Sequence, residues 1–252
     1  MNITTRRNLI NTALTVTAGG AGIALAAKLL DHNGLLPPDG GGIYGPGRSL
    51  SYAAHRLLAR NSLAREFSRD QISNPAHANG KPIKAPEYLR HQAEGFGNWR
   101  LQVDGLVARP ASLSIADIKS YPSTNQITQI ACEEGWSSVS EWTGVRLSHI
   151  LKLVEIRPQA KFIVFSTIQR SRWGALDMND ALHPQTLIAY GMNGTDIPLA
   201  NGAPLRLRVP RQLGYASLKY INHMTVTDSL ESFGKGLGSS ASEAGYSWYA
   251  GI

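Results

Sequence analysis

The spacing of apolar segments in the second half of the chain places the strongest limit on its fold. Residues 160–168 (AKFIVFSTI), 186–190, 205–209 and 220–227 each have the length and composition of a short strand. The tripeptide at 192–194, Met-Asn-Gly, has the composition of a tight turn. Helical patterns are short and do not alternate regularly with the strands. This order predicts an α+β fold with a mixed or antiparallel sheet, and it disfavours a doubly wound fold.

The middle of the chain has the same mixed character. Residues 99–107 (WRLQVDGLV) alternate between apolar and polar side chains, which predicts a strand that enters a hairpin. Ser114 has the position of an N-cap for a short helix that must end before Pro122. Residues 125–131 predict a strand, and residues 147–154 predict a helix.

The amino terminus has the layout of an export signal. Arg6 and Arg7 precede a mildly apolar run at 9–27, and no acidic residue occurs before Asp31. This arrangement is typical of a twin-arginine signal peptide and predicts a periplasmic protein. A membrane anchor is the alternative, although the glycine and threonine of the run make it a poor spanning helix. Because the twin-arginine route moves folded proteins, the signal also favours a cofactor that is loaded before export.

Three regions follow along the chain. Residues 1–30 are predicted to be the signal peptide, residues 31–70 an N-terminal extension and residues 71–252 the functional domain. Within the extension, the glycine- and proline-rich residues 31–50 predict a tether, and residues 51–70 predict a surface helix. The formal charge of +7 falls to +4 without residues 1–30, which contain three basic residues and no acidic one. Such a modest charge, without a basic run, excludes nucleic acid as a partner.

Cys132 is the only cysteine of the 252 residues. A disulfide within the chain is therefore excluded, and three interpretations stay open: a buried structural thiol, a catalytic nucleophile paired with a histidine, or a metal ligand. No CxxC, HxxxH or HExxH pattern occurs, so the sequence contains no zinc cage. One thiolate can hold a metal only if the other ligands come from elsewhere, for example from an organic cofactor that chelates the metal.

Two separated blocks and the carboxyl-terminal tail carry a family resemblance. In the first block, a strand leads to Cys132, with Trp136 and the pair Trp142-x-Gly144 after it. The second block is 180–226, DALHPQTLIAYGMNGTDIPLANGAPLRLRVPRQLGYASLKYINHMTV. Together with the tail GYSWYAGI, these blocks resemble the sulfite-oxidase superfamily of molybdopterin enzymes. They are most similar to its exported bacterial branch, which includes the methionine-sulfoxide reductase catalytic subunit.

The resemblance implies a site with molybdenum-molybdopterin as its cofactor. The thiolate of Cys132 would bind molybdenum, and the pterin dithiolene would supply two more sulfurs. Eight other positions match cofactor contacts of the family: His77, Asn79, Thr167, Asn201, Arg206, Ser217, Leu218 and Lys219. Arg206 and Lys219 match the residues at the phosphate end of the pterin, although as isolated residues they could equally be solvated strand charges. The segment containing His77 and Asn79 departs from the pattern of the reductase branch.

The resemblance also implies two-electron oxygen-atom transfer, with reduction of a sulfoxide-like substrate as the favoured direction. Glu133 and Glu134 follow the cysteine and would repel sulfite, which places sulfite oxidation second. Arg170 and Arg172 could contact an anionic substrate or the pterin phosphate, or lie on the surface. A binding protein without metal chemistry and a thiol enzyme are the remaining alternatives.

The chain itself offers no second redox centre. It has no CxxCH haem motif and no nucleotide-binding loop. We therefore expect electrons to come from a membrane haem subunit or a cytochrome. The expected substrate is a small-molecule or protein sulfoxide. No dimerisation domain of the sulfite-oxidase kind follows the second block, which predicts a monomeric catalytic subunit.

Overall fold

The computed structural model describes residues 29–30, 34–40, 45–80 and 83–252 and contains two β-sheets. The first sheet has five strands in the order β2 (Ala111–Ser114), β1 (Arg100–Gly105), β10 (Ile221–Thr227), β5 (Phe162–Thr167) and β6 (Trp173–Asp177). Strands β1 and β10 pair in parallel, whereas the other pairs are antiparallel. The predicted α+β fold with a mixed sheet is confirmed.

The second sheet is antiparallel throughout. It contains β3 (Ser123–Ala131), β4 (Ser137–Arg146), β7 (Leu187–Met192), β8 (Thr195–Asp196) and β9 (Arg206–Arg208). Strands β3 and β4 form a long hairpin whose register runs from Ser123 opposite Val145 to Ala131 opposite Ser137. The turn of this hairpin contains Cys132. The sequence predicted β3 and β7, but β4 and β6 were not predicted.

In the described residues, six short helices connect and cover the sheets. They are α1 (Gly45–Leu58), α2 (Pro86–Ala93), α3 (Ile115–Ser120), α4 (Leu147–Leu153), α5 (Met178–Ala181) and α6 (Ser240–Glu243). The start of α3 is as predicted, because the Ser114 hydroxyl accepts a hydrogen bond from the Asp117 backbone N–H at 3.1 Å. Helix α4 also lies where the sequence placed it.

Two predictions about the extension and the following loop were wrong. Helix α1 begins at Gly45, inside the predicted tether, and ends at Leu58, well before residue 70. Pro46 does not prevent this start, because a proline in the first helical turn loses no intrahelical hydrogen bond. Residues 71–98, with Pro75, Pro82 and Pro86, have a composition that predicts loop, yet Pro86 begins α2.

The main core lies on the first sheet and extends to the helices and to β7 and β9. Strand β1 alternates as predicted, with Leu101 and Val103 buried between exposed neighbours. These side chains pack with Phe165 of β5 and with Leu147 and Ile150 of α4. Burial of these apolar surfaces supplies the main driving force for folding.

Helix α1 and the carboxyl-terminal tail pack together on this body. Arg56 is buried and places its Nε 2.7 Å from Asp177 Oδ2 and its Nη2 2.8 Å from Asp180 Oδ2. The ring of Tyr52 contacts the rings of Trp248 and Tyr249, with centroids 5.8 and 5.2 Å away. The aromatic tail therefore docks on the body through α1.

The predicted signal peptide lies almost wholly outside the described residues, of which only 29–30 belong to it. Within the described ranges, no helix has the length and apolar character needed to cross a membrane. The division into signal peptide, extension and functional domain stays a prediction.

Candidate cofactor site around Cys132

Cys132 stands at the end of β3, where the chain turns into β4. Its backbone N–H donates to the Trp136 carbonyl at 2.9 Å, and the Gly135 N–H donates to the Cys132 carbonyl at 3.1 Å. Gly135 has φ of 89°, a conformation that glycine adopts without strain. The cysteine is half-buried, so its thiol lies at the edge of the fold and not in the sealed core.

The immediate surroundings of the thiol are acidic. Its Sγ lies 3.3 Å from Glu133 Oε2 and 3.9 Å from Asn79 Nδ2. Burial raises the pKa of the Cys132 thiol, and the carboxylates of Glu133 and Glu134 raise it further. A reactive thiol needs an electropositive setting, which Cys132 lacks, and a bound metal cation would favour its thiolate form. Among the described residues, no histidine hydrogen-bonds the sulfur, which disfavours the thiol-enzyme alternative.

The segment around Asn79 connects the cysteine to the second block. The side-chain amide of Asn79 faces the sulfur, while its backbone carbonyl accepts a hydrogen bond from Lys219 Nζ at 2.5 Å. Two residues earlier, the carbonyl of His77 accepts from Asn201 Nδ2 at 3.0 Å. The structure therefore brings together residues that lie more than a hundred positions apart in sequence, as the family resemblance implied.

Arg206 and Lys219 form the basic part of the site. They face each other in an isolated β-bridge. Arg206 donates to the carbonyls of Asn201 at 2.8 Å and Ser217 at 3.3 Å. Burial lowers the pKa of Arg206 to about 10. Burial, with the charges of Arg206 and Arg172, lowers the pKa of Lys219 to about 8.

Gly202 allows the close approach of Lys219. Its φ is 114°, and a Cβ at this position would lie 3.0 Å from both Cβ and Cγ of Lys219. Glycine adopts this positive φ without strain, and its missing side chain makes room for that of the lysine.

Arg208 is a site residue that the sequence reasoning missed. It is wholly buried, and its guanidinium donates to Ser217 Oγ and Thr128 Oγ1, each at 3.0 Å. Its guanidinium lies over the Trp142 ring at 4.9 Å, and that of Arg206 lies over the same ring at 5.2 Å. Burial and the charge of Arg206 hold the pKa of Arg208 well below its usual value. The Arg-Leu-Arg pattern could have signalled it, because residues two apart in a strand share a face.

The donor set of this cluster fits an anionic ligand. In the described part of the chain, Arg206, Arg208 and Lys219 donate to carbonyls and hydroxyls, and no carboxylate pairs with them. Buried charges are normally paired, so the cluster requires a negative group such as the phosphate of molybdopterin. The described residues contain no group of three metal-ligating side chains, which fits a metal whose other ligands come from the organic cofactor.

The remaining predicted contacts lie beside the cluster. Thr167 is buried at the end of β5, and its hydroxyl donates to the Arg172 carbonyl at 3.0 Å. Leu218 and Arg172 line a cavity of about 40 Å³ behind the site. Ser217 is buried beneath the cluster, whereas Arg170 is exposed. Observed contacts thus join Cys132 through Asn79 to Lys219, and the contacts of the predicted residues with cofactor stay predictions.

Comparisons with known proteins identify the family. The profile of the oxidoreductase molybdopterin binding domain matches residues 89–233. A protein of Azospira oryzae, provisionally described as the protein-methionine-sulfoxide reductase subunit YedZ1, is 34% identical over 195 residues, which cover 77% of this chain and 70% of that protein. The catalytic subunit MsrP of protein-methionine-sulfoxide reductase from Xanthomonas axonopodis pv. citri is 37% identical over 155 residues. This match covers 56% of this chain and 47% of MsrP, so the chain spans about half the length of that relative.

A solved structure shares the fold. The sulfane dehydrogenase SoxCD of Paracoccus pantotrophus superposes with a TM-score of 0.53 over 68% of this chain and 46% of that one, at 18% identity. The family profile covers Cys132 and the whole basic cluster, and the family's chemistry supplies the anion that the cluster lacks. The chain belongs to the oxidoreductase family with the molybdopterin-binding domain, and its cofactor is molybdenum-molybdopterin.

Proposed function

We propose that this chain is the catalytic subunit of an exported sulfoxide reductase whose substrate is methionine sulfoxide in proteins. The overall reaction consumes two electrons and two protons, reduces the sulfoxide to a thioether and releases the oxygen as water. The names of the Azospira and Xanthomonas relatives support this substrate. Bound molybdenum-molybdopterin supplies the two-electron oxygen-atom chemistry, and the protein positions it.

One observation carries the proposal. A half-exposed thiol is joined through Asn79 to a buried basic cluster that has no carboxylate partner in the described part of the fold. Cys132 would hold the metal, while Arg206 and Lys219 would hold the phosphate end of the pterin. Thr167, Asn201, Ser217 and Leu218 would add polar and backbone contacts, and Asn79 would fix the distance between the two ends.

The acidic turn at the cysteine favours a neutral substrate over an anion. Glu133 and Glu134 are exposed beside the sulfur. The Trp136 indole N–H donates to Glu134 Oε2 at 2.9 Å and holds this carboxylate in place. Two negative charges at the entrance repel sulfite, but they do not repel the neutral dipole of a sulfoxide. Sulfite oxidation is therefore the second candidate.

We further propose that the enzyme works in the periplasm after twin-arginine export. Its electrons would come from a membrane haem subunit or a soluble cytochrome. We propose a monomeric catalytic subunit. Arg6 and Arg7 with the apolar run behind them support the route, and the absence of a haem motif from the sequence supports a separate electron donor.

Metal analysis and a substrate screen test the proposal. Purified holoprotein should contain about one molybdenum per chain and should reduce methionine sulfoxide with a reduced artificial dye as electron source. Cys132→Ser should lose turnover and keep much of its bound pterin, because the phosphate contacts lie elsewhere in the site. A saturable sulfite-oxidising activity together with no sulfoxide reduction would overturn the assignment in favour of the second candidate.

A further inference from the structure

Arg208 is the buried charge that the proposed function leaves without a role. We propose that Arg208 positions the cofactor. It ties the strand that leads to Cys132 to the segment that binds the pterin phosphate, and the bound cofactor supplies the negative charge that balances its guanidinium. This inference rests on the proposed function, and it adds a residue to the site that the family resemblance did not assign.

The hydrogen bonds of Arg208 join the two halves of the site. Its Nη1 donates to Ser217 Oγ, at the start of the Ser217–Lys219 segment. Its Nη2 donates to Thr128 Oγ1 at 3.0 Å and to the Gln129 carbonyl at 3.3 Å, both on β3 just before the cysteine. The planar guanidinium offers these donors in a fixed fork, so it sets the spacing between the metal end and the phosphate end.

The charge of Arg208 points to a missing anion. The side chain is 1% exposed, lies beside Arg206 and has no carboxylate partner within the described ranges. Its Nε and the neighbouring Trp142 Nε1 are buried donors without a hydrogen-bond partner. Unpartnered donors and unpaired charge at one place are costly in a folded protein, unless a bound acceptor with negative charge relieves them.

Arg56 shows what a purely structural buried arginine looks like in the same molecule. It lies within 2.8 Å of carboxylate oxygens of both Asp177 and Asp180. Its charge is therefore balanced by the protein itself. Arg208 has no carboxylate that balances its charge in this way. This difference distinguishes Arg208, as a residue that binds a ligand, from Arg56, as a residue that stabilises the fold.

The test compares Arg208→Gln and Arg208→Lys with Arg56→Gln as the matched control. Each full-length variant is prepared as holoprotein and, from a host that makes no molybdopterin, as apoprotein. The readouts are the rate of pterin release, followed by fluorescence of the oxidised pterin, and the melting temperature of both forms. We expect Arg208→Gln to release pterin about 10–100-fold faster than wild type, as for lost outer contacts of a metal site. The release rate of Arg208→Lys should lie between those of wild type and Arg208→Gln, because lysine keeps the positive charge but lacks the planar guanidinium donors.

The melting temperatures separate the two roles. Arg208→Gln should lower the melting temperature of the holoprotein more than that of the apoprotein. In the apoprotein, the substitution also removes an uncompensated buried charge, which offsets part of the lost stability. Arg56→Gln should lower both by the same amount and leave pterin release unchanged. Equal losses in both forms of Arg208→Gln, with wild-type pterin release, would overturn the inference.

Two further outcomes are also decisive. If Arg208→Gln does not accumulate, Arg208→Lys carries the test, and wild-type pterin release from it would overturn the inference. If wild-type protein binds pterin but reduces no sulfoxide, the proposed function fails, whereas faster release from the Arg208 variants still supports the positioning role.

Discussion

The contact between α1 and the body offers a quantitative test of how the fold is held together. The perturbation is Arg56→Leu, which removes a guanidinium and keeps an apolar side chain in its place. Arg56 and Asp180 have side chains that are 2% and 1% exposed. The substitution leaves Asp177 buried without its cation, whereas Asp180 keeps Arg211, whose Nη1 lies 3.6 Å from Asp180 Oδ1. Tyr52 still donates to Asp177 Oδ2 at 2.7 Å, and Gln212 donates to Asp180 Oδ2 at 2.6 Å.

The expected loss is large for a single substitution. Removing one partner of a buried ion pair costs about 3–5 kcal/mol, because the other charge stays buried and uncompensated. For a domain of this size, that corresponds to a fall in melting temperature of roughly 6–20 °C. Arg109 and Glu155 form the control pair, since their side chains are 71% and 49% exposed. Arg109→Leu should cost less than about 1 kcal/mol.

The pH dependence checks the mechanism. Burial already raises the pKa of Asp177 in the native protein, and Arg56 opposes that rise. Without Arg56 the pKa of Asp177 rises further, so the folded variant takes up a proton at a higher pH than the folded wild type does. A carboxyl with a raised folded pKa favours folding at low pH and loses that contribution as pH rises. The deficit, measured by urea unfolding with circular dichroism, should shrink as pH falls. A deficit below 1 kcal/mol, or one independent of pH, would refute the reasoning.

Three other predictions concern the site and its sheet. Binding of molybdopterin to the apoprotein should weaken as pH rises above about 8, because Lys219 of the empty site then loses the proton that attracts the phosphate. Binding that is constant from neutral to alkaline pH would contradict this. Gly202→Ala should weaken pterin retention and lower the free energy of unfolding by about 1–3 kcal/mol, because alanine is strained at φ of 114° and its Cβ meets Lys219. Pterin retention equal to that of wild type would contradict the role of the close approach between Gly202 and Lys219. Gly144→Ala should disrupt β4–β7 pairing, because its Cβ would lie 2.4 Å from the Ile188 carbonyl oxygen, and unchanged thermal melting would exclude this.

Local sequence patterns predicted the helices and strands that are marked by their own capping residue or apolar run. Ser114 identified the start of α3 through its capping role, and the apolar run at 160–168 identified β5. Strand β4 was missed because glutamate, serine and tryptophan interrupt its alternation. Its Glu141 is nevertheless buried, with Arg69 Nη2 2.7 Å from Glu141 Oε1. That partner comes from a distant segment, which local periodicity cannot reveal.

The site could be predicted further than the fold around it. The family resemblance identified Cys132, Arg206 and Lys219, and the structure brings them into one region. Arg208 was missed because a buried arginine without an acid contradicts the ordinary expectation for charged residues. Its environment depends on Thr128 and Ser217, which only the folded chain brings together.

The docked tail has a consequence for the cysteine turn. The backbone N–H of Leu213 donates to the Ala250 carbonyl, and that of Ile252 donates to the Arg211 carbonyl. These bonds brace the segment that leads into Gly214, whose Cα hydrogen faces Ile130 next to the cysteine turn. The tail therefore supports the cysteine turn from outside, although it lies far from Cys132 in sequence. A substitution that detaches the tail from α1 should for this reason also loosen the turn that holds the thiol.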